Sequence, residues 1–256
     1  MVVAGRSGSD TGMGQAAPIV SVIIPVMNEA RTLARVLKEA KRVHPRTEVI
    51  VVLNGSNDGS ERIARGAGVR VLHFPEALGH DVGRAVGAEA ARGDILLFLD
   101  GDIPVAAPQL KPFIRAIQRG TDVALNAYSG PRVKHRPHPV NVAKKALNAF
   151  LGAPHLLGAS MTAIPHAISR RALEQIGARS LSVPPAAQAA AVRKGLRVYT
   201  VRYVEVGRTN PSKPRPSGAL TSLIMGDHLE ALHALMKEKG SRCGFSDGGR
   251  RREKLT

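Results

Sequence analysis

The chain has 256 residues, enough for one larger α/β domain with an ample core. It carries 37 Lys and Arg against 20 Asp and Glu, a net charge of +17, and that balance favours phosphate-bearing partners: sugar nucleotides, anionic acceptors, membrane surfaces or nucleic acid. Only 3% aromatics, no Trp and no helix-turn-helix or RNP pattern argue against nucleic acid. The single Cys243 rules out an internal disulfide framework, and no apolar stretch approaches the roughly 18 residues that span a bilayer.

In chain order, residues 1–17 are Gly/Ser-rich without an apolar signal-peptide segment and read as a disordered leader. Ile19 to Val26 is an apolar, β-branched run followed by Met27-Asn28-Glu29, and Thr32, Leu33, Val36 and Leu37 then recur at helical spacing. A second strand, Glu48 to Leu53, leads into the polar turn Asn54 to Ser60, whose Ser/Asp character caps a helix from Glu61 to Ala67. A short strand from Val69 to Phe74 and a helix from Gly79 to Ala91 precede the run ILLFLDGDIP, Ile95 to Pro104. A continuous apolar run of that kind suits a strand buried on both faces of a parallel sheet. Its end carries Asp100 and Asp102, and ligands in open α/β sheets sit just beyond the carboxyl ends of the strands. Two hard oxygen ligands there suit a divalent cation that also holds phosphate oxygens, and Gly101 between them lets a bulky ligand approach the backbone. Strands alternating with helices predict right-handed βαβ units: an α/β fold with a mostly parallel sheet flanked by helices.

VSVIIPVMNEARTL, EVIVVLNGSNDGS and GDILLFLDGD, in this order, resemble the nucleotide-sugar-binding half of a GT-A-fold glycosyltransferase of the family 2 type. No Gly-x-Gly-x-x-Gly or Walker-type loop competes with that resemblance. It implies a single domain over 18–239, divided into a nucleotide-sugar-binding half (18–108) and an acceptor half (109–239), with 240–256 as a flexible basic tail. It further implies that Asp100 and Asp102 hold Mg²⁺ or Mn²⁺ against the donor diphosphate, a UDP-sugar by preference. Pro25, Asn28, Glu29, Asn54, Asp100 and Gly101 would line the nucleotide, while Arg84 and Arg208 offset charge on the leaving group. Glu29 also fits a first-turn helix acid, Asn54-Gly55 a simple turn, and Asp58 a turn or cap residue. His155, His166 and His233 lack metal-ligand spacing and read as structural.

The chain departs from the family in two places. Leu53-Asn54 stands where an acidic pair is usual, although an Asn amide can still pair with a uracil. The Glu-Asp pair that commonly supplies a general base before a late helix is replaced by Ser182-Val183-Pro184-Pro185, and no carboxylate lies between Glu174 and Glu205. The acceptor then is itself an anion needing no base, or the base comes from elsewhere, or configuration is retained with help from the leaving diphosphate. Ala219 to Lys239 reads as an amphipathic helix in which Leu220, Leu223, Ile224, Ala231 and Leu235 share a face. Asp227 inside that face and His228 at its edge are expected to meet a polar partner: either His228 meets the metal or diphosphate and Asp227 orients that imidazole or meets the acceptor as general base, supported by Glu230, or His228 meets a backbone carbonyl and Asp227 is a cap after Gly226. Met225, Leu229, Leu232 and Met236 on the other side leave room for a homodimer contact. Two basic Pro/Gly-rich loops, 128–139 and 207–218, are expected to be mobile, the second as a lid. The protein is thus expected to be a cytoplasmic, metal-dependent glycosyltransferase with an unknown acceptor and a peripheral contact with anionic membranes. The alternatives are an inactive basic binding protein of the same fold and, more remotely, a nucleotidyltransferase.

Overall fold

The structure is a computed structural model and describes residues 19–129, 138–206 and 218–254. The first strand, β1 (Val20–Val26), pairs in parallel with β2 (Thr47–Asn54) on one side and β4 (Ile95–Phe98) on the other, and β2 pairs in parallel with β3 (Arg70–Phe74). Beyond β4 the sheet continues through β6 (His166–Ser169), antiparallel to both its neighbours, then β5 (Val123–Asn126) and β7 (Val198–Arg202), which are mutually parallel. The seven strands lie in the order β3-β2-β1-β4-β6-β5-β7.

Alternation along the strands sends side chains into two cores. Val20, Val22, Ile24 and Val26 of β1 meet α1 (Leu33–Ala40), α2 (Ser60–Gly66) and α4 (Ala107–Gln118) on one face. Ile23, with Val52 and Phe98, meets α3 (Val82–Ala90), α6 (Arg170–Ile176) and α7 (Pro184–Arg193) on the other. Helices on both faces explain why β1 and β4 read as apolar runs rather than as alternating ones. The helix α3 lies close to the sheet because it presents glycines to it. A Cβ on Gly87 would stand 2.4 Å from Ile23 Cγ2, and one on Gly83 3.1 Å from Pro25 Cβ.

A third cluster joins α5 (Pro139–Phe150), α7 and α8 (Ala219–Lys239) through Leu147, Leu151, Ala189, Ala231, Leu235 and Cys243. Residues 240–254, expected as a flexible basic tail, make contacts with this cluster. Cys243 is buried against α5 and α8, Phe245 meets Phe150 edge-on at 5.9 Å, and Asp247 collects Arg242, Arg250 and Arg252. The arginines that suggested a solvated tail serve to fold it. Leu229 and Met236 of α8 remain exposed. Among the described residues no helix is long and apolar enough to cross a membrane.

Candidate active site

The carboxyl ends of β1, β2 and β4 and the turn after β3 surround one crevice. At the end of β1, Asn28 takes a left-handed backbone (φ 59°) and its Oδ1 accepts the N–H of Asn57 at 2.9 Å, while the Glu29 N–H bonds Ser60 Oγ at 2.9 Å. Asp58 joins the same turn, accepting from the N–H groups of Ala30 and Ser60, each at 2.9 Å. It is a fastener between β1 and β2. Gly101 has a packing reason: a Cβ there would stand 3.0 Å from Val26 Cγ2 and 3.1 Å from Glu29 Cγ. The space Gly101 leaves is filled by the chain itself, and this brings the Glu29 side chain beside the Asp100–Asp102 turn. The Gly101 carbonyl accepts from Thr32 Oγ1 at 2.8 Å. Pro25 is half-buried where β1 meets Gly83.

Asn54 is buried, and its amide is engaged on both sides. Oδ1 accepts the Leu78 N–H and Nδ2 donates to the Gly79 carbonyl at 3.0 Å. The base contact expected of this amide gives way to a structural one, because both polar atoms pin the turn that carries His80 and Asp81.

At the end of that turn stands a chain of charges that the motifs did not reveal. Asp81, with φ 62°, occupies the N-cap position of α3, but its carboxylate turns to side chains. Oδ2 meets His80 Nδ1 at 2.7 Å and Oδ1 meets Arg84 Nη1 at 3.0 Å. Arg84 Nη2 donates to Asp100 Oδ1 at 3.1 Å, and Nη1 reaches the Met161 carbonyl at 3.4 Å. Burial works against the Arg84 charge, but Asp81 and Asp100 outweigh it and raise its pKa. Burial likewise pushes Asp81 up, but Arg84 and His80 outweigh it and hold the carboxyl below its ordinary value. Arg84 is therefore a brace between two carboxylates. Spacing alone could have suggested Asp81–Arg84, an i, i+3 pair at a helix start, but not its partner Asp100 across the crevice.

Asp102 is buried at 7% exposure, while the Asp100 side chain is 35% exposed beside it. Among the described residues no group of three or more His, Cys, Asp or Glu stands close enough to hold a metal. Two carboxylates nevertheless fit Mg²⁺ or Mn²⁺ of the kind that completes its shell with substrate phosphates and water.

The helix α8 packs on α5 and α7 and carries its two singled-out residues on different sides. Asp227 is half-exposed and feels the charges of Asp81 and His80; burial first, then Asp81, raise its pKa. Glu230 is exposed and adds its charge to the same carboxyl. His228, expected at the stripe's edge, is at its centre, 1% exposed, with Nδ1–H donated to the Ile224 carbonyl at 2.6 Å. Instead of reaching the metal it faces α5. Its pKa is lowered by burial and by Lys144, and its Nε2 has no hydrogen-bond partner among the described residues. His166 is structural: it stacks on Phe98 at 4.8 Å, and burial drives its pKa to about 3. Beneath the crevice, Gln188 Oε1 accepts the Met161 N–H at 2.8 Å and its Nε2 donates to Asn148 Oδ1 at 2.7 Å, tying α7 and α5 to the loop that touches Arg84. Arg208 and nearly all of the two basic loops lie outside the described residues.

Known proteins share parts of this sequence and its fold. The chain is 42% identical over 93 residues to glycosyltransferase AglE of Haloferax volcanii, covering 33% of this chain and 31% of the relative. It is 32% identical over 116 residues to the undecaprenyl-phosphate 4-deoxy-4-formamido-L-arabinose transferase of Aeromonas hydrophila, covering 41% of this chain and 35% of the relative. The matches thus span about a third of the length of these curated relatives. The fold is shared with glucosyl-3-phosphoglycerate synthase from Mycobacterium tuberculosis. The complex of that enzyme with Mn²⁺, UDP and glucosyl-3-phosphoglycerate superimposes with a TM-score of 0.62 at 22% identity, over 91% of this chain and 82% of that one. Its complex with Mn²⁺ and UDP-glucose gives 0.63 at 20% identity, over 91% and 81%. The family model described as glycosyl transferase family 2 matches residues 21–174, more than half of the chain and a span that includes Asp81, Arg84, Asp100 and Asp102, so this protein belongs to glycosyl transferase family 2.

Proposed function

We propose that the protein transfers a sugar from a nucleotide-diphosphate donor, a UDP-sugar by preference, to an acceptor hydroxyl, with a divalent metal required. The observation that carries this reading is the Asp81–Arg84–Asp100 brace at the carboxyl end of β4, which holds Asp100 in place beside Asp102. Asp100 and Asp102 would hold Mg²⁺ or Mn²⁺, which when bound neutralises charge on the diphosphate oxygens. Arg84 fixes the Asp100 carboxylate and supplies a positive charge that persists across the working pH range. The acceptor oxygen forms the new bond to the anomeric carbon while the bond to the diphosphate breaks and its electron pair leaves with the phosphate oxygen. Asp227 takes the hydroxyl proton. Its raised pKa makes it a stronger base than an ordinary surface Asp, and its position near Asp81 sets it beside the donor crevice. The basic composition supports an acceptor that is itself an anion, and the exposed Leu229 and Met236 on α8 support a peripheral membrane contact on the cytoplasmic side.

The test is Asp102→Ala with UDP-glucose and GDP-mannose as donors, with and without Mn²⁺. Loss of metal-dependent donor binding and of roughly a thousandfold in turnover is expected, with an unchanged circular-dichroism spectrum. Parental turnover and unchanged metal dependence overturn the assignment. Donor binding by the parent that ignores both metal and nucleotide, alongside tight binding to anionic vesicles, favours instead an inactive basic binding protein.

A further inference from the structure

His80 is the one cationic side chain of the charge chain that opens to solvent: its side chain is 38% exposed, against 5% for Arg84 and 4% for Asp81. Three contacts fix it. The Asn54 amide clamps Leu78 and Gly79 immediately before it, the Val82 N–H bonds its carbonyl at 2.8 Å, and the Asp81 carboxylate takes its Nδ1–H at 2.7 Å. With Nδ1 committed, Nε2 is the ring atom left for a ligand. The charged groups that bear on the ring are Asp81 and Arg84 of α3, Asp100 at the end of β4 and Asp227 of α8. The Asp81 hydrogen bond raises the His80 pKa, burial and Arg84 oppose it, and Asp100 adds to the rise. A buried carboxylate behind an exposed imidazole is costly to assemble. Here Asp81 sits in a left-handed backbone to make it, a conformation unfavourable for a non-glycine residue.

We infer that His80 is a catalytic residue of the proposed transfer, donating Nε2–H to a phosphate oxygen of the donor and stabilising the negative charge that gathers there as the sugar leaves. The inference rests on the sugar-nucleotide reading above. The geometry favours a phosphate because His80 is tied through Asp81 and Arg84 to Asp100, the carboxylate beside Asp102, so that a diphosphate held by a cation at that pair comes within reach of the exposed His80 ring. No proton is transferred in this role. The imidazolium donates a hydrogen bond whose strength grows with the charge on the oxygen. Asp81 is a positioning residue that holds the tautomer and the ring plane.

Calorimetry of UDP-glucose binding to the full chain in Mn²⁺, between about pH 5.5 and 8.5, tests this against uridine as control, because the sugar nucleotide's diphosphate keeps its charge over that range while a histidine does not. A raised histidine pKa places the charge on the low-pH side. The parent should therefore bind UDP-glucose about tenfold more tightly at the low end than at the high end. His80→Gln should bind weakly and His80→Lys tightly across the whole range, both without the pH dependence, and uridine affinity should be the same in all three. The parental pH profile in His80→Gln, or an equal loss of uridine binding, overturns the role of His80 while leaving the glycosyltransferase reading in place. Absence of any UDP-glucose binding by the parent at every pH fails that reading first, and this inference with it.

Discussion

The two halves of the molecule are held together by different means. Around β1, β2 and β4 the crevice is assembled from side-chain fasteners between strand ends: Asp58 and Ser60 on the Glu29–Ala30 backbone, Asn54 on the Leu78–Gly79 turn, and Gly101 under Glu29. Around α5, α7 and α8 buried polar groups lie within an apolar interface instead. Gln188 and Asn148 pair with each other there, while burial alone shifts Lys144 and His228 Nε2 has no hydrogen-bond partner among the described residues. The first arrangement uses short side chains to tie one stretch of backbone to another. The second keeps charge and hydrogen-bonding capacity in an apolar interface, at a cost in stability that is pH-dependent and removable.

The sharpest way to expose that cost is Lys144. Burial lowers its pKa from an ordinary 10.5 to about 8. Below pH 8 both folded and unfolded chains hold the proton and the penalty of burying the charge is present in full. Between about 8 and 10.5 the folded chain releases a proton that the unfolded chain retains, so stability rises with pH, by on the order of 3 kcal/mol across the window. Urea denaturation at about pH 7 and about pH 10 should show this gain in the parent. Lys144→Met should be the more stable protein at the lower pH and lack the gain. A parent with the same dependence as the variant removes Lys144 as its origin.

Neighbouring residues of α8 divide the same way. Asp227→Asn should slow transfer by roughly a hundredfold, about 2.7 kcal/mol in the barrier, with UDP-glucose affinity retained. His228→Gln should leave metal-dependent donor binding within about twofold, because the ring faces Lys144 and α5. Single-turnover kinetics and calorimetry separate the two. Equal loss of donor binding in both variants would undo the division of α8 into a site-facing and a core-facing side.

The smallest contrast sets one fastener against one buried thread. Gln188→Leu strands the Met161 N–H and Asn148 Oδ1 in the interior and should cost about 2 kcal/mol. Asp58→Ala removes the acceptor of two N–H groups at an exposed turn and should cost about 1 kcal/mol. Denaturation midpoints measured side by side check the order, and an inverted order contradicts the distinction between the halves.

This distinction also decides what could be read from the sequence. The strands and helices of the first half were legible because apolar runs, turn residues and the Asp-x-Asp motif are local patterns, and α8 was legible over its full length from its ends and spacing. The antiparallel insertion of β6 between β4 and β5 was not, because nothing in HAIS encodes its neighbours. Asp100 and Asp102 stood out, whereas His80 and Asp81 did not. Their significance lies in a turn pinned by Asn54 from another strand and in Arg84 reaching across to Asp100. The side of α8 on which His228 falls depends on where α5 docks, and helical periodicity leaves that open by one position. The ion pairs of residues 240–254 were hidden for a related reason: clustered arginines look solvated until Asp247 is placed among them.

The glycine face of α3 bears on how this enzyme's specificity can change over generations. With Gly83 and Gly87 seated on Pro25, Val52 and Ile23, almost any side chain added at Gly87 lifts the helix, and Arg84 and His80 move with it. Adaptation to a new donor is thereby denied the usual course of sliding a helix by small steps. It is left to exchanges at the helix's own outward residues or to the α5–α8 side, where the packing tolerates replacement. A deep mutational scan would record this as a block of intolerance at two positions that touch no substrate, flanked by positions whose tolerated substitutions alter donor choice.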